Sequence, residues 1–175
     1  MNCAVVSAYS QGFRRVAHLC TPSHRCLASR LEAPYFEFGL SDNYRWRQLE
    51  LIRDQLSDWH SVLWLDADCI VPAEWMPPRI DSRSKIFLPF TRSGPQLWAG
   101  LWVNSPEAFN FLRLMRIARA CDPAQTPGEA LSKVFNFELA AVTGRLDRGL
   151  VHYGGLDQWE KQLKLKEQTS IYEMA

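Results

Sequence analysis

The sequence has no Cys-x-x-Cys pair, no long block of like charge, no internal repeat and no apolar run long enough to cross a bilayer, and each absence removes a class of function. Its five cysteines, Cys3, Cys20, Cys26, Cys69 and Cys121, are odd in number and scattered. That argues against a disulfide frame or a zinc site and for reduced thiols in a cytosol-like, cytoplasmic setting. With 20 basic and 19 acidic residues the formal charge is +1. Lacking a concentrated basic surface to neutralise phosphates, the chain is not expected to take nucleic acid or an anionic membrane as its main partner. Met1 to Val6 place no basic stretch ahead of an apolar one, so neither a targeting segment nor a membrane span is expected.

Apolar residues, by contrast, are plentiful at 47% of the 175 positions, and there are seven tryptophans. A chain of this length suits a single domain that buries roughly 70% of its unfolded surface around one core. The stretch that organises the rest runs from Ser61 to Val71. Ser61-Val62-Leu63-Trp64-Leu65 has no polar alternation, which predicts a strand covered on both faces, as in a mostly parallel sheet. It delivers Asp66 and Asp68, which the i, i+2 spacing aims to one side if the backbone stays extended through Ala67. Two carboxylates so close repel each other, and burying them without a counter-charge is costly. A hard divalent cation with oxygen ligands is the economical partner. The plainer account is that both aspartates end the strand and cap a turn.

Around this stretch the periodicity predicts a βαβ unit: a strand over Cys3 to Tyr9, a helix from Pro22 to Leu31 with Thr21 as its N-cap, and a strand from Pro34 to Phe38. Gln11 to Thr21 reads as irregular. A helix from Asn43 to Leu56, opened by Ser41 or Asp42, puts Leu49, Ile52 and Leu56 on one face. Pro72, Pro77 and Pro78 demand a loop. Beyond it come a strand over Ile86 to Phe90, a turn through Ser93-Gly94-Pro95, and a helix capped by Ser105-Pro106-Glu107 that runs to about Ala120. Thr126-Pro127-Gly128-Glu129 forms a capping box ahead of a helix from Ala130 to Val142. Leu150 to Tyr153 reads as a short strand, Asp157 to Glu160 as a helix start, and Lys161 to Gln168 as an exposed helix. His24 falls on the first helix, as a surface or packing residue.

Val62-Leu63-Trp64-Leu65-Asp66-Ala67-Asp68 resembles the Asp-x-Asp strand of GT-A glycosyltransferases, in particular the galactosyl/mannosyl transferase family of fungi and plants. Leu97 to Ser105 resembles the Asn-Ala-Gly segment of those enzymes, with Trp98 where asparagine is usual. His152-x-x-Gly155-x-x-Gln158 is similar to the His-x-x-Gly-x-x-Lys element of glycogenin-like relatives, with Gln158 replacing the lysine. The resemblance implies an α/β, single-domain, near-minimal GT-A (Rossmann-like) fold: a mostly parallel mixed sheet flanked by helices, with the Asp-x-Asp ending a central strand. It implies an enzyme that retains configuration while moving a hexose from a UDP- or GDP-linked donor to a glycan, lipid or protein acceptor. Asp66, Asp68 and His152 would hold Mn2+ or Mg2+, and Asp66, Asp68 and Glu129 would be the catalytic carboxylates. Ser7, Tyr9, Arg47, Gly100 and Gly155 would border the donor nucleotide, and Trp98 and Trp75 the sugar. Plainer roles stand beside several of these: a helical surface arginine for Arg47, core packing for Trp75, the capping box for Glu129.

Two other functions fit parts of the pattern. One is a non-catalytic nucleotide-sugar-binding module. The other is a haloacid-dehalogenase-like phosphatase, but that family usually continues Asp-x-Asp with Gly-Thr or Gly-Val and supplies an acidic pair downstream. Here Cys69-Ile70 follows, and the later acidic pair is missing.

Overall fold

A computed structural model describes residues 2–40, 44–92, 94–135, 137–146 and 149–152. In chain order the elements are β1 (Cys3–Ser10), α1 (Arg14–Arg30), β2 (Tyr35–Leu40), α2 (Tyr44–Asp58), β3 (Ser61–Asp66), β4 (Cys69–Ile70), β5 (Ile86–Leu88), β6 (Phe90–Thr91), β7 (Gly94–Pro95), β8 (Ala99–Val103), α3 (Pro106–Cys121), α4 (Pro127–Val134), α5 (Phe137–Ala141), β9 (Thr143–Arg145) and β10 (Val151–His152). Six strands form the main sheet in the order β2-β1-β3-β8-β5-β9. The pairs β1–β2, β1–β3 and β5–β9 are parallel, whereas β8 runs antiparallel to both β3 and β5. This is the mixed, mostly parallel α/β sheet expected of the sequence.

Strand alternation divides the core between the two faces of the sheet. Ala4, Val6 and Ala8 of β1, Val62 and Trp64 of β3 and Trp102 of β8 pack with Leu49, Ile52 and Leu56 of α2 and with Ala108, Phe111, Leu112 and Met115 of α3. Cys3, Val5, Leu63, Leu65 and Leu101 face the other way, against Leu27 and Ala28 of α1 and Trp75 of the loop between β4 and β5. Because both faces are covered, every residue from Ser61 to Leu65 is buried, which is why that run shows no polar alternation. Burying each large apolar side chain contributes roughly 1.5–3 kcal/mol.

Two helices depart from the sequence reading. The first begins at Arg14, so Thr21 is not its cap and Pro22 lies inside it. Proline has no N–H to donate back to the preceding turn, but the helix is held by burial on both sides of that gap: Val16, Ala17 and Cys20 before it, His24, Leu27 and Ala28 after it. The Thr21 hydroxyl, displaced from a capping role, is shared between the Ala17 carbonyl oxygen at 2.8 Å and Glu37 Oε1 at 2.5 Å. The single helix expected from Ala130 to Val142 is broken at Phe135, whose φ of −71° and ψ of 102° are extended. There Phe135 turns to meet Phe90 edge-on at 6.0 Å. The chain then forms β9, where Gly144 passes so close to Phe87 that a Cβ would lie 2.5 Å from its Cδ1 atom.

Candidate functional site

The carboxyl end of β3 lies between the end of β1 and the start of β8. Ala8 is in register with Asp66, and the Asp66 amide donates to the Trp98 carbonyl oxygen at 2.8 Å, one step beyond the Leu65–Ala99 pair. Trp64, two residues before Asp66 and on the same face, donates its indole N–H to Asp66 Oδ1 at 2.8 Å. The side chain at the strand's end is thus oriented from within the core.

The extended backbone does not continue through Ala67. It turns at Ala67 and Asp68 and resumes as β4, so Asp66 and Asp68 converge through a turn and not through strand alternation. Helix α1 holds the far side of that turn. His24, 1% exposed, places Nε2 at 2.8 Å from the Cys69 carbonyl oxygen, and Ser23 Oγ accepts from the Val71 amide at 3.2 Å. Burial lowers the His24 pKa to about 4, so the ring is neutral and donates through Nε2. Burial likewise pushes the Cys69 thiol well above its ordinary value, leaving an inert packing group beside the acidic pair.

The third member arrives on β10, which pairs antiparallel with β4 so that His152 stands opposite Cys69. Its Nε2 is 3.2 Å from Asp68 Oδ1. Asp66, Asp68 and His152 each offer one ligand atom, and these atoms lie within 4.8 Å of one another. Ligand atoms about 2.1 Å from a shared ion are roughly 3–4 Å apart, so a small side-chain adjustment brings this set onto one cation. Two carboxylates and an imidazole suit a divalent ion of intermediate hardness.

The other residues singled out in the sequence fall in several places. Tyr9 is half-buried at the carboxyl end of β1, one residue past the partner of Asp66. Ser7 is buried farther back along the same strand. Trp98 stands beside the cluster, its ring stacked on His152. Trp75 is buried in the core on the α1 side of the sheet. Gly100 is needed for packing, because a Cβ there would lie 2.5 Å from the Trp102 indole nitrogen. Arg47 is exposed on the first turns of α2 and paired with Glu50. Glu129 closes the expected capping box, its Oε2 accepting from the Thr126 amide at 2.6 Å and hydroxyl at 2.9 Å, which lowers its pKa. Gly155 and Gln158 lie outside the described residues. Sequence reasoning missed Trp64, whose i, i+2 relation to Asp66 was a usable signal, and the anchors Ser23 and His24, for which no local signal exists.

No protein-family model matches the chain, and no curated protein does. Solved structures do. A crystal structure of a glycosyltransferase involved in the glycosylation of the major capsid of PBCV-1 superposes with a TM-score of 0.76 at 10% identity, covering 95% of this chain and 100% of that one. The apo form of the glycosyltransferase GlyE from Streptococcus pneumoniae TIGR4 gives a TM-score of 0.57 at 13% identity, over 98% of this chain and 64% of that one. A second GlyE structure gives 0.53 at 13%, over 98% and 51%. The chain therefore spans about half to two thirds of the GlyE chains and the whole of the PBCV-1 one. At these identities the likeness is one of architecture: the chain has the fold of solved glycosyltransferases.

Proposed function

We propose that the protein is a metal-dependent glycosyltransferase that moves a hexose from a UDP- or GDP-linked donor to a hydroxyl of a glycan, lipid or protein. The observation that carries this reading is the convergence of Asp66, Asp68 and His152 at the carboxyl end of the central strand, where ligands of such sheets collect. Bound Mn2+ or Mg2+ supplies Lewis-acid stabilisation of the departing nucleoside diphosphate. The chain's own residues do the positioning. Asp68 and His152 approach from the β4–β10 side, while Asp66, oriented by the Trp64 indole, approaches from the main sheet. In this reading Tyr9, beside Asp66 at the end of β1, borders the donor's nucleoside. Glu129 is left out of the chemistry, since its carboxylate already serves Thr126. Retention of configuration belongs to the proposal through the resemblance to the galactosyl/mannosyl transferases.

The test is release of nucleoside diphosphate from a panel of UDP- and GDP-hexoses, with Mn2+ or with chelator, in the wild type and in Asp68→Asn. Metal-dependent turnover of one donor, reduced at least a hundredfold in the variant, is expected. Saturable donor binding without turnover would identify a non-catalytic module instead, and no binding of any donor would end the reading. Protein acceptors belong in the follow-up panel, because the PBCV-1 neighbour acts in glycosylation of a capsid.

A further inference from the structure

His152 reaches the acidic pair on a strand of only two residues, paired to another of the same length. So short a ladder is marginal by itself. It sets the backbone of His152 opposite Cys69 but leaves the imidazole free to rotate about its side-chain bonds. The orientation of the ring has another source. Trp98 stacks on it with ring centroids 4.7 Å apart and an interplanar angle of 3°.

Trp98 is itself fixed at the backbone. Its carbonyl oxygen accepts from the Asp66 amide at 2.8 Å, and the preceding carbonyl, that of Leu97, accepts from the Gln48 side-chain amide at 2.5 Å. One residue therefore joins the end of the main sheet, where Asp66 sits, to the separate β4–β10 ribbon that carries His152. With the imidazole flat against the indole, Nε2 lies 3.2 Å from Asp68 Oδ1.

We propose that Trp98 is a positioning residue for the metal centre, holding the His152 imidazole in its ligating orientation, and that the indole face turned to His152 is not a sugar platform. This rests on the metal-binding reading above. It replaces the sugar contact that the resemblance implied for Trp98 with a support that acts on a ligand; loss of the hydrogen-bonding partners that orient metal ligands weakens affinity about 10–100-fold, and a stacking partner is expected at the low end of that range.

The test measures Mn2+ affinity by calorimetry, without donor, for wild type, Trp98→Leu, Trp98→Phe, His152→Ala and the double variant Trp98→Leu/His152→Ala, each checked for folding by circular dichroism. Trp98→Leu is expected to weaken binding roughly tenfold, Trp98→Phe to keep most of the affinity, and Trp98→Leu to change nothing further once His152 is alanine. An equal loss in both backgrounds would overturn the proposal, because Trp98 would then act without His152, and so would an unchanged affinity in Trp98→Leu. Absence of Mn2+ binding by the wild type is a different result: it removes the metal reading and the proposal with it. Should Trp98→Leu not fold, the metal-free wild type decides. Ring C–H protons of His152, identified by their loss in His152→Ala, are expected upfield under the indole ring current, and unshifted resonances would refute the stack.

Discussion

His24 combines full burial, a neutral ring and a side-chain hydrogen bond from Nε2 to the Cys69 carbonyl, while Nδ1 has no hydrogen-bond partner among the described residues. Desolvation lowers its pKa from 6.5 to about 4, against weaker opposing effects of the Cys69 carbonyl, Glu37 and Asp68. The unfolded chain thus protonates this histidine near pH 6.5 while the folded chain waits until about pH 4. Its contribution is complete above that window and is lost as pH falls through it. Between pH 7 and pH 5 the wild type should lose about 2 kcal/mol more stability than His24→Gln, as read by urea unfolding. Parallel pH profiles would show that the ring is not held neutral. Asp66 and Asp68 could be read from the sequence because a buried run that ends in two carboxylates has few physical explanations. His24 could not, since its partner lies across the fold and nothing in the residues beside it points to Cys69.

Among the elements, the caps at Ser105 and Thr126 were legible, whereas the cap expected at Thr21 and the breaks were not. Ser105 Oγ accepts from the Ala108 amide at 3.2 Å, and Thr126 and Glu129 close their capping box, as the local spelling required. The break at Phe135 and the passage of α1 through Pro22 are decided by packing partners distant in sequence, Phe90 in one case and the sheet face in the other. The box also separates two accounts of Glu129. Thr126→Ala should cost about 1 kcal/mol in chemical denaturation, whereas Glu129→Gln, which preserves the capping pattern, should keep both stability and donor turnover. A folded Glu129→Gln protein that has lost turnover would return that carboxylate to the chemistry.

For the molecule as a whole, composition had argued for free thiols, and the fold sorts them: Cys3, Cys20 and Cys69 are buried, Cys26 and Cys121 exposed. A chromogenic thiol reagent should titrate two cysteines in the native protein and five in denaturant. A native count of five would mean that the core facing α1 opens readily. The layered α/β architecture was legible because a sheet covered on both faces leaves unbroken apolar runs. The edge strand β9 was not, because Thr143-Gly144-Arg145 carries no apolar signal and is recruited by its parallel pairing with β5.

The three candidate ligands are not evenly spread along the chain. Two lie at the β3–β4 turn and the third on β10, with β5 to β9 and α3 to α5 between them. An ion held by all three would act as a clasp across that whole interval, closing a long loop as a disulfide does and penalising the unfolded state in the same way. Metal occupancy would then report on the second half of the protein. A lesion in α3 or β9 that loosens the return to β10 would register first as weaker metal binding, though no residue of either touches the ion.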